Sequence, residues 1–103
     1  MIKPLAALTV LGLLALTGAV NAQADGLAVY DAKCARCHNS GTMGAPVLEE
    51  FSEWPDMSEF SATEVLAQHL DEGFVREAGD AKRGVTAKEM DEAFNYVKSV
   101  LAK

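Results

Sequence analysis

The run Cys34-Ala35-Arg36-Cys37-His38 constrains this chain more than any other feature of it. C-x-x-C-H is the pattern through which c-type haem is attached. Two thiols three positions apart lie on one face at the end of a helix, so both can bond to the vinyl groups of one porphyrin. The adjoining imidazole can then reach the iron. A chain tethered in this way must fold around a flat apolar disc, and its chemistry is that of an iron porphyrin which the polypeptide holds and tunes.

The first 22 residues read as a leader outside the fold. Lys3 supplies a positive start, and Leu5 to Val20 is almost wholly apolar. Small residues follow at Val20-Asn21-Ala22 and Gln23-Ala24, of the kind signal peptidase accepts. Cleavage is expected after Ala22, with Ala24 as second choice. The apolar run is about 16 residues against the roughly 20 that a spanning helix needs, so a retained anchor is the alternative reading. Residues 23–103 then form one small domain, of a size at which a hydrophobic core alone is marginal. A covalently held haem would supply the missing apolar centre. Export without a second membrane segment points to the periplasm. The two cysteines are too close together to staple a domain as a disulfide.

The formal net charge is −6, one unit more negative once Lys3 leaves with the leader. No basic patch of the kind nucleic acid requires is present. An acidic surface serves solubility; the sharper reading is steering toward a basic face on a partner.

Three helical segments stand out. The first runs from about Leu27 to Ala35, with Asp25 as its cap and Leu27, Tyr30 and Cys34 on one side. Residues 39–46 are loop by composition. The second helix opens at Ser61 with Glu64 completing a capping box, and stops at Gly73; Val65, Leu66, His69 and Leu70 share a face. The third repeats the device with Thr86 and Glu89, and its acidic first turns suit the positive end of the helix dipole. Met90, Ala93, Phe94, Val97 and Leu101 form its apolar stripe, with Lys98 and Lys103 near the negative end. A further short helix is expected around Leu48 to Trp54, and a loop from Phe74 to Val85. No alternating strand pattern appears. The fold class is all-α.

With these parts in order, the chain resembles the small class I c-type cytochromes, and more closely the bacterial c-five group. The resemblance is carried by the first helix through Tyr30, by Cys34-Ala35-Arg36-Cys37-His38, by Gly44-Ala45-Pro46, by Trp54, by the helix ending at Gly73 and by a last helix carrying Tyr96-Val97. It implies three to four helices around one covalent haem c. It implies thioethers at Cys34 and Cys37, His38 as proximal iron ligand, and the Pro46 carbonyl accepting from the other nitrogen of His38. Tyr30 and Tyr96 are expected to meet where the first and last helices cross. Trp54 is expected near the haem edge, its indole N–H on a propionate; plain core packing is the equal alternative for Trp54 and both tyrosines.

The pattern breaks on the distal side. Such proteins usually supply a methionine from a Met-Pro segment shortly after the helix-ending glycine. Here Gly73-Phe74-Val75-Arg76-Glu77-Ala78-Gly79-Asp80-Ala81-Lys82-Arg83-Gly84 contains neither residue, and the expected position falls near Glu77. Met90 reads as core, and Met43 is too close in sequence to His38 to reach the opposite face. The leading expectation is an iron with its sixth position open or holding water. His69 is second and Met57 third.

Function follows from this as electron transfer, in a non-enzymatic, monomeric carrier whose partners are redox proteins. The alternative is a binder or sensor of a small diatomic ligand at an open iron. A dithiol oxidoreductase needs a βαβ setting that is not evident. Structural zinc commonly takes four protein ligands, more than the cysteine pair, His38 and one distant histidine provide. No nucleophile–base set for hydrolysis can be named.

Overall fold

The computed structural model describes residues 24–102. The leader expected over residues 1–22 and the lysine at position 103 therefore lie outside the described residues.

The first helix, α1, covers residues 24–38. It is α-helical over 24–29, widens into a π-turn at Tyr30–Cys34 and closes with an α-turn at Ala35–His38. The backbone is already helical at Ala24, so Asp25 lies inside the helix and is not its cap. Leu27 is 42% exposed, contrary to expectation. The buried positions are Gly26 and Tyr30, an i, i+4 pair, and Leu27 stands one residue, about 100°, round from that stripe.

Two further α-helices are α2, Ala62–Asp71, and α3, Ala87–Leu101. Both start on a complete capping box. In α2, Ser61 Oγ accepts from Glu64 N at 3.2 Å while Ser61 N donates to Glu64 Oε1 at 3.1 Å. In α3 the same reciprocal pair joins Thr86 and Glu89, both bonds at 3.0 Å. These caps satisfy donors that a helix start otherwise leaves open. Gly73 ends α2 in the left-handed region, φ 78°, as a terminating glycine does.

The helix expected around Leu48 to Trp54 shrinks to one 3₁₀ turn, Phe51–Glu53, with a second at Met57–Glu59. Proline disfavours the α region in the residue before it. Trp54 precedes Pro55 and is extended, φ −93°, ψ 140°, so no helix can run through it.

Among the described residues there is no β-strand, only an isolated bridge between Arg76 and Gly84. The architecture is all-α. That bridge shapes the loop after α2: Arg76 N donates to Arg83 O at 2.9 Å and Val85 N to Arg76 O at 3.1 Å. The Arg83 guanidinium donates to the carbonyls of Gly73 and Phe74, at 3.1 and 2.7 Å. The loop thereby carries Val75 and Val85 into the interior.

Helix α3 is the spine of the core. Met90 and Phe94 pack with Val75 and Val85, and Val65, Leu66 and Leu70 of α2 close over them. One turn on, Val97 packs with Tyr30 of α1 and Leu48, flanked by Trp54 and Tyr96. Leu101, expected in the buried stripe, is only half-buried. Where α1 crosses α3 the backbones nearly touch: a Cβ on Gly26 would lie 2.7 Å from the Glu92 carbonyl oxygen and 2.9 Å from Tyr96 Cβ. Beside this crossing the rings of Tyr30 and Tyr96 meet, centroids 5.6 Å apart. No helix among the described residues is long and apolar enough to cross a membrane.

Gly26→Ala is expected to force the α1–α3 crossing apart and lower the unfolding free energy by about 1–3 kcal/mol. Gly79→Ala, where an added Cβ meets nothing within 4 Å, is the matched control and stays close to wild type in the same denaturant titration. The Glu89 carboxyl is held below its ordinary pKa first by the Thr86 backbone N–H and then by Lys33. A depressed carboxylate stabilises above its unfolded pKa and loses that contribution as pH falls through the folded one. Glu89→Gln is therefore expected to flatten the acid limb of the stability curve below the usual carboxylate range.

Candidate functional site

The site begins with the π-turn. Ala35 N donates to Tyr30 O, one residue further back than in an α-helix, and such single π-turns frequently mark functional sites. The extra residue rotates everything beyond it by about 100°. Tyr30 packs with Val97 of α3 and, together with Cys34, Cys37 and His38, lines a cavity of about 390 Å³ with largely apolar walls. That volume falls in the usual range for ligand pockets, roughly 300–1,000 Å³. Both cysteines are half-buried and neither is paired in a disulfide. Burial, then the neighbouring Cys37, pushes an unmodified Cys34 thiol up to about 11.

The loop after His38 folds back over the motif. Gly41 N donates to Cys37 O at 2.8 Å and Leu48 N to His38 O at 2.7 Å. Gly41, Met43 and Gly44 all sit at positive φ, 81°, 59° and 81°; for Met43 this is an unusual conformation. The reversal returns Pro46 to the helix end, where its carbonyl accepts from His38 Nδ1 at 2.8 Å. A carbonyl only accepts, so Nδ1 carries the proton and Nε2 keeps a free lone pair. Burial first, and then the nearby His69, lower the His38 pKa, while the Pro46 bond opposes them. The net effect favours the neutral imidazole that a metal requires.

Trp54 lines the cavity, and its polar atom is engaged by the backbone. Its ring stacks on His38, centroids 5.1 Å apart and planes 28° apart. The indole N–H donates to Val47 O at 2.8 Å, so it is not held for a propionate. That bond pins the residue after Pro46 and helps keep the accepting carbonyl in position.

Other contacts carry no signal in the sequence. Tyr30 Oη donates to Asn39 Oδ1 at 2.6 Å, fixing the chain just past His38; burial raises the Tyr30 pKa to about 12. Lys33 Nζ reaches across to α3, 2.9 Å from Glu89 Oε2, and donates to Gly84 O at 2.7 Å. One lysine thus ties the helix bearing the cysteines to the start of α3 and to the loop before it.

Phe74, Val75 and Val85 also line the cavity, together with His69 of α2 and Met57. Glu77, at the sequence position expected for a distal ligand, is exposed and does not line the cavity. Met90 is core, as expected, at 6% exposure, and Met43 is 65% exposed. No cluster of three or more histidine, cysteine or acidic side chains arranged for a metal ion occurs among the described residues. The donor set is instead that of a haem pocket: two thiols, one oriented imidazole and apolar walls. The residues present fit that group.

Comparison with known proteins agrees. Residues 21–97 match the family model described as cytochrome c oxidase, cbb3-type, subunit III. The chain belongs to this family, whose unit is a c-type cytochrome domain. Over 31 residues it is 52% identical to proteins named cytochrome c-555 from Chlorobaculum thiosulfatiphilum and from Chlorobaculum tepidum. That stretch is 30% of this chain, and 36% and 29% of those two proteins. The chain thus matches about a third of the length of these curated relatives. No solved structure matches it. The fold is that of a small class I c-type cytochrome, and its cofactor is covalently bound haem c, for which Cys34 and Cys37 fit the attachment motif.

Trp54→Phe retains a ring against His38 and removes the N–H given to Val47. It is expected to cost about 0.5–1.5 kcal/mol of stability and to leave the visible spectrum of the haem unchanged. Denaturation of the coloured protein followed in the visible region measures both.

Proposed function

We propose that this chain is an exported electron carrier: a single haem c domain, residues 23–103, released into the periplasm after the leader over 1–22 is cleaved. Cys34 and Cys37 hold the haem through thioethers, and His38 binds its iron from the same side. When bound, the haem supplies a reversible one-electron iron couple. The chain's own residues perform the remaining work. The Pro46 carbonyl fixes the tautomer and direction of His38 and raises its basicity. Trp54 and the cavity's apolar lining exclude water from the proximal side, and a rigid pocket keeps reorganisation small when charge changes.

The observation that carries this reading is the joint placement of two thiols and an imidazole, its Nδ1 already bonded to a carbonyl, on the wall of one apolar cavity. In this reading the two thiols and the imidazole serve to hold the haem, so the domain is read as a carrier and not an enzyme. Its partners are redox proteins, which it meets as a monomer. Between His38 and Arg76 the chain has no lysine or arginine. Glu49, Glu50, Glu53, Asp56 and Glu59 are all exposed around Trp54. This supports docking against a basic partner face, with association that weakens as ionic strength rises. The alternative, reversible binding of a small diatomic ligand, turns on whether the iron keeps an open sixth position.

Produced in a host that exports it and attaches haem, the purified protein is expected to be coloured, to exceed its polypeptide mass by one haem, and to cycle reversibly between two visible spectra on reduction and oxidation. The double variant Cys34→Ala, Cys37→Ala is expected to lose the covalent mass. A colourless wild-type protein with the mass of its amino acids alone overturns the proposal.

A further inference from the structure

A second histidine on the lining of the same cavity repeats the features that make His38 a ligand. His69 Nδ1 is 2.8 Å from Val65 O, one turn back in α2. As for His38, a carbonyl partner puts the proton on Nδ1 and leaves Nε2 with a free lone pair. Ligating histidines almost always spend their second nitrogen in this way. Each ring also has an aromatic buttress: Trp54 against His38, and Phe74 edge-on to His69 with centroids 5.8 Å apart.

The spacing between the two rings is the decisive quantity. Metal–imidazole bonds are about 2.0–2.1 Å long, so two imidazoles bound trans to one ion through Nε2 have ring centroids roughly 6.4 Å apart once both ring radii are included. The centroids of His38 and His69 are 6.2 Å apart, with planes 33° apart. Both rings line the same cavity.

The competitors also border the cavity: Met43, Met57 and Met90 are all on its lining. Met57 packs against the cluster of Val75, Val85, Met90 and Phe94, and Met90 is part of that cluster. Met43 is 65% exposed. Glu77 does not line the cavity.

We infer that His69 is the second axial ligand of the haem iron, trans to His38. The inference rests on the haem-carrier reading above and decides its distal side. Two imidazoles close the coordination sphere in both oxidation states. That arrangement suits electron transfer, denies a diatomic ligand an open position, and gives a lower potential than methionine–histidine ligation does.

The experiment is visible and electron paramagnetic resonance spectroscopy of the full-length, haem-loaded protein, with carbon monoxide added to the reduced form. Wild type is expected to be low-spin in both states, to lack a methionine–iron charge-transfer band, and to keep its Soret band unmoved on adding carbon monoxide. His69→Ala is expected to become high-spin when ferric, to shift its Soret band at once with carbon monoxide, and to return to low spin when free imidazole is added. The wild-type measurements need no variant to fold. A high-spin wild type that binds carbon monoxide overturns the inference, as does a wild-type methionine–iron band, or a His69→Ala spectrum identical to wild type. A methionine–iron band or an unchanged His69→Ala spectrum leaves a coloured, covalently loaded carrier; a high-spin wild type that binds carbon monoxide favours the diatomic binder instead, and a colourless product defeats the haem reading itself.

Discussion

The hydrogen bond from His38 to the Pro46 carbonyl is where the local chain and the cofactor chemistry meet. To make it, the backbone must leave α1, pass three residues at positive φ and return within 2.8 Å of the imidazole. Several other contacts hold that return path. Tyr30 bonds Asn39 at its start, Leu48 N bonds the His38 carbonyl, and Trp54 bonds Val47 beside the proline. Proline suits the position because its ring stiffens the loop. The bond fixes one tautomer of His38, with the proton on Nδ1 and the lone pair on Nε2.

The core falls into two clusters, and among the described residues α3 is the helix that buries side chains in both. Met90 and Phe94 serve the cluster shared with α2, and Val97 the cluster shared with α1. The close approach at Gly26 and the Lys33 bridge to Glu89 hold α1 against this spine. In a domain of this size a core in two clusters beside an apolar cavity is marginal without something to fill it, which is the physical reason for coupling folding to a covalent apolar disc. Cys34 and Cys37 sit on the helix that these contacts brace.

Much of the helical framework was legible in the residues. Ser61 with Glu64, and Thr86 with Glu89, declare helix starts because side chain and backbone bond within four residues. Gly73 declares a stop through its own conformational freedom. The short helix before Trp54 was misjudged because the local effect of Pro55 on its neighbour outweighs the apolar pattern. Asp25 misled as a cap because a helix that starts further upstream makes the same residue interior. Leu27 misled because the buried stripe of α1 is set by how closely α3 approaches Gly26, a distance that belongs to both helices.

The attachment motif, the class of fold and the nature of the cofactor were determined by the sequence alone, since each depends on residues adjacent in the chain and on chemistry that operates over one helical turn. The proposal for the distal side rests on three-dimensional relations alone. His69 is 31 positions from His38 and lies on a different helix. Nothing in its neighbours marks it as more than a polar residue bordering an apolar face. Its claim on the iron comes from a 6.2 Å separation between two rings and from a carbonyl that takes its second nitrogen. Such a relation exists only once α2 has been packed against α3 and the loop carrying Phe74 has been drawn in behind it.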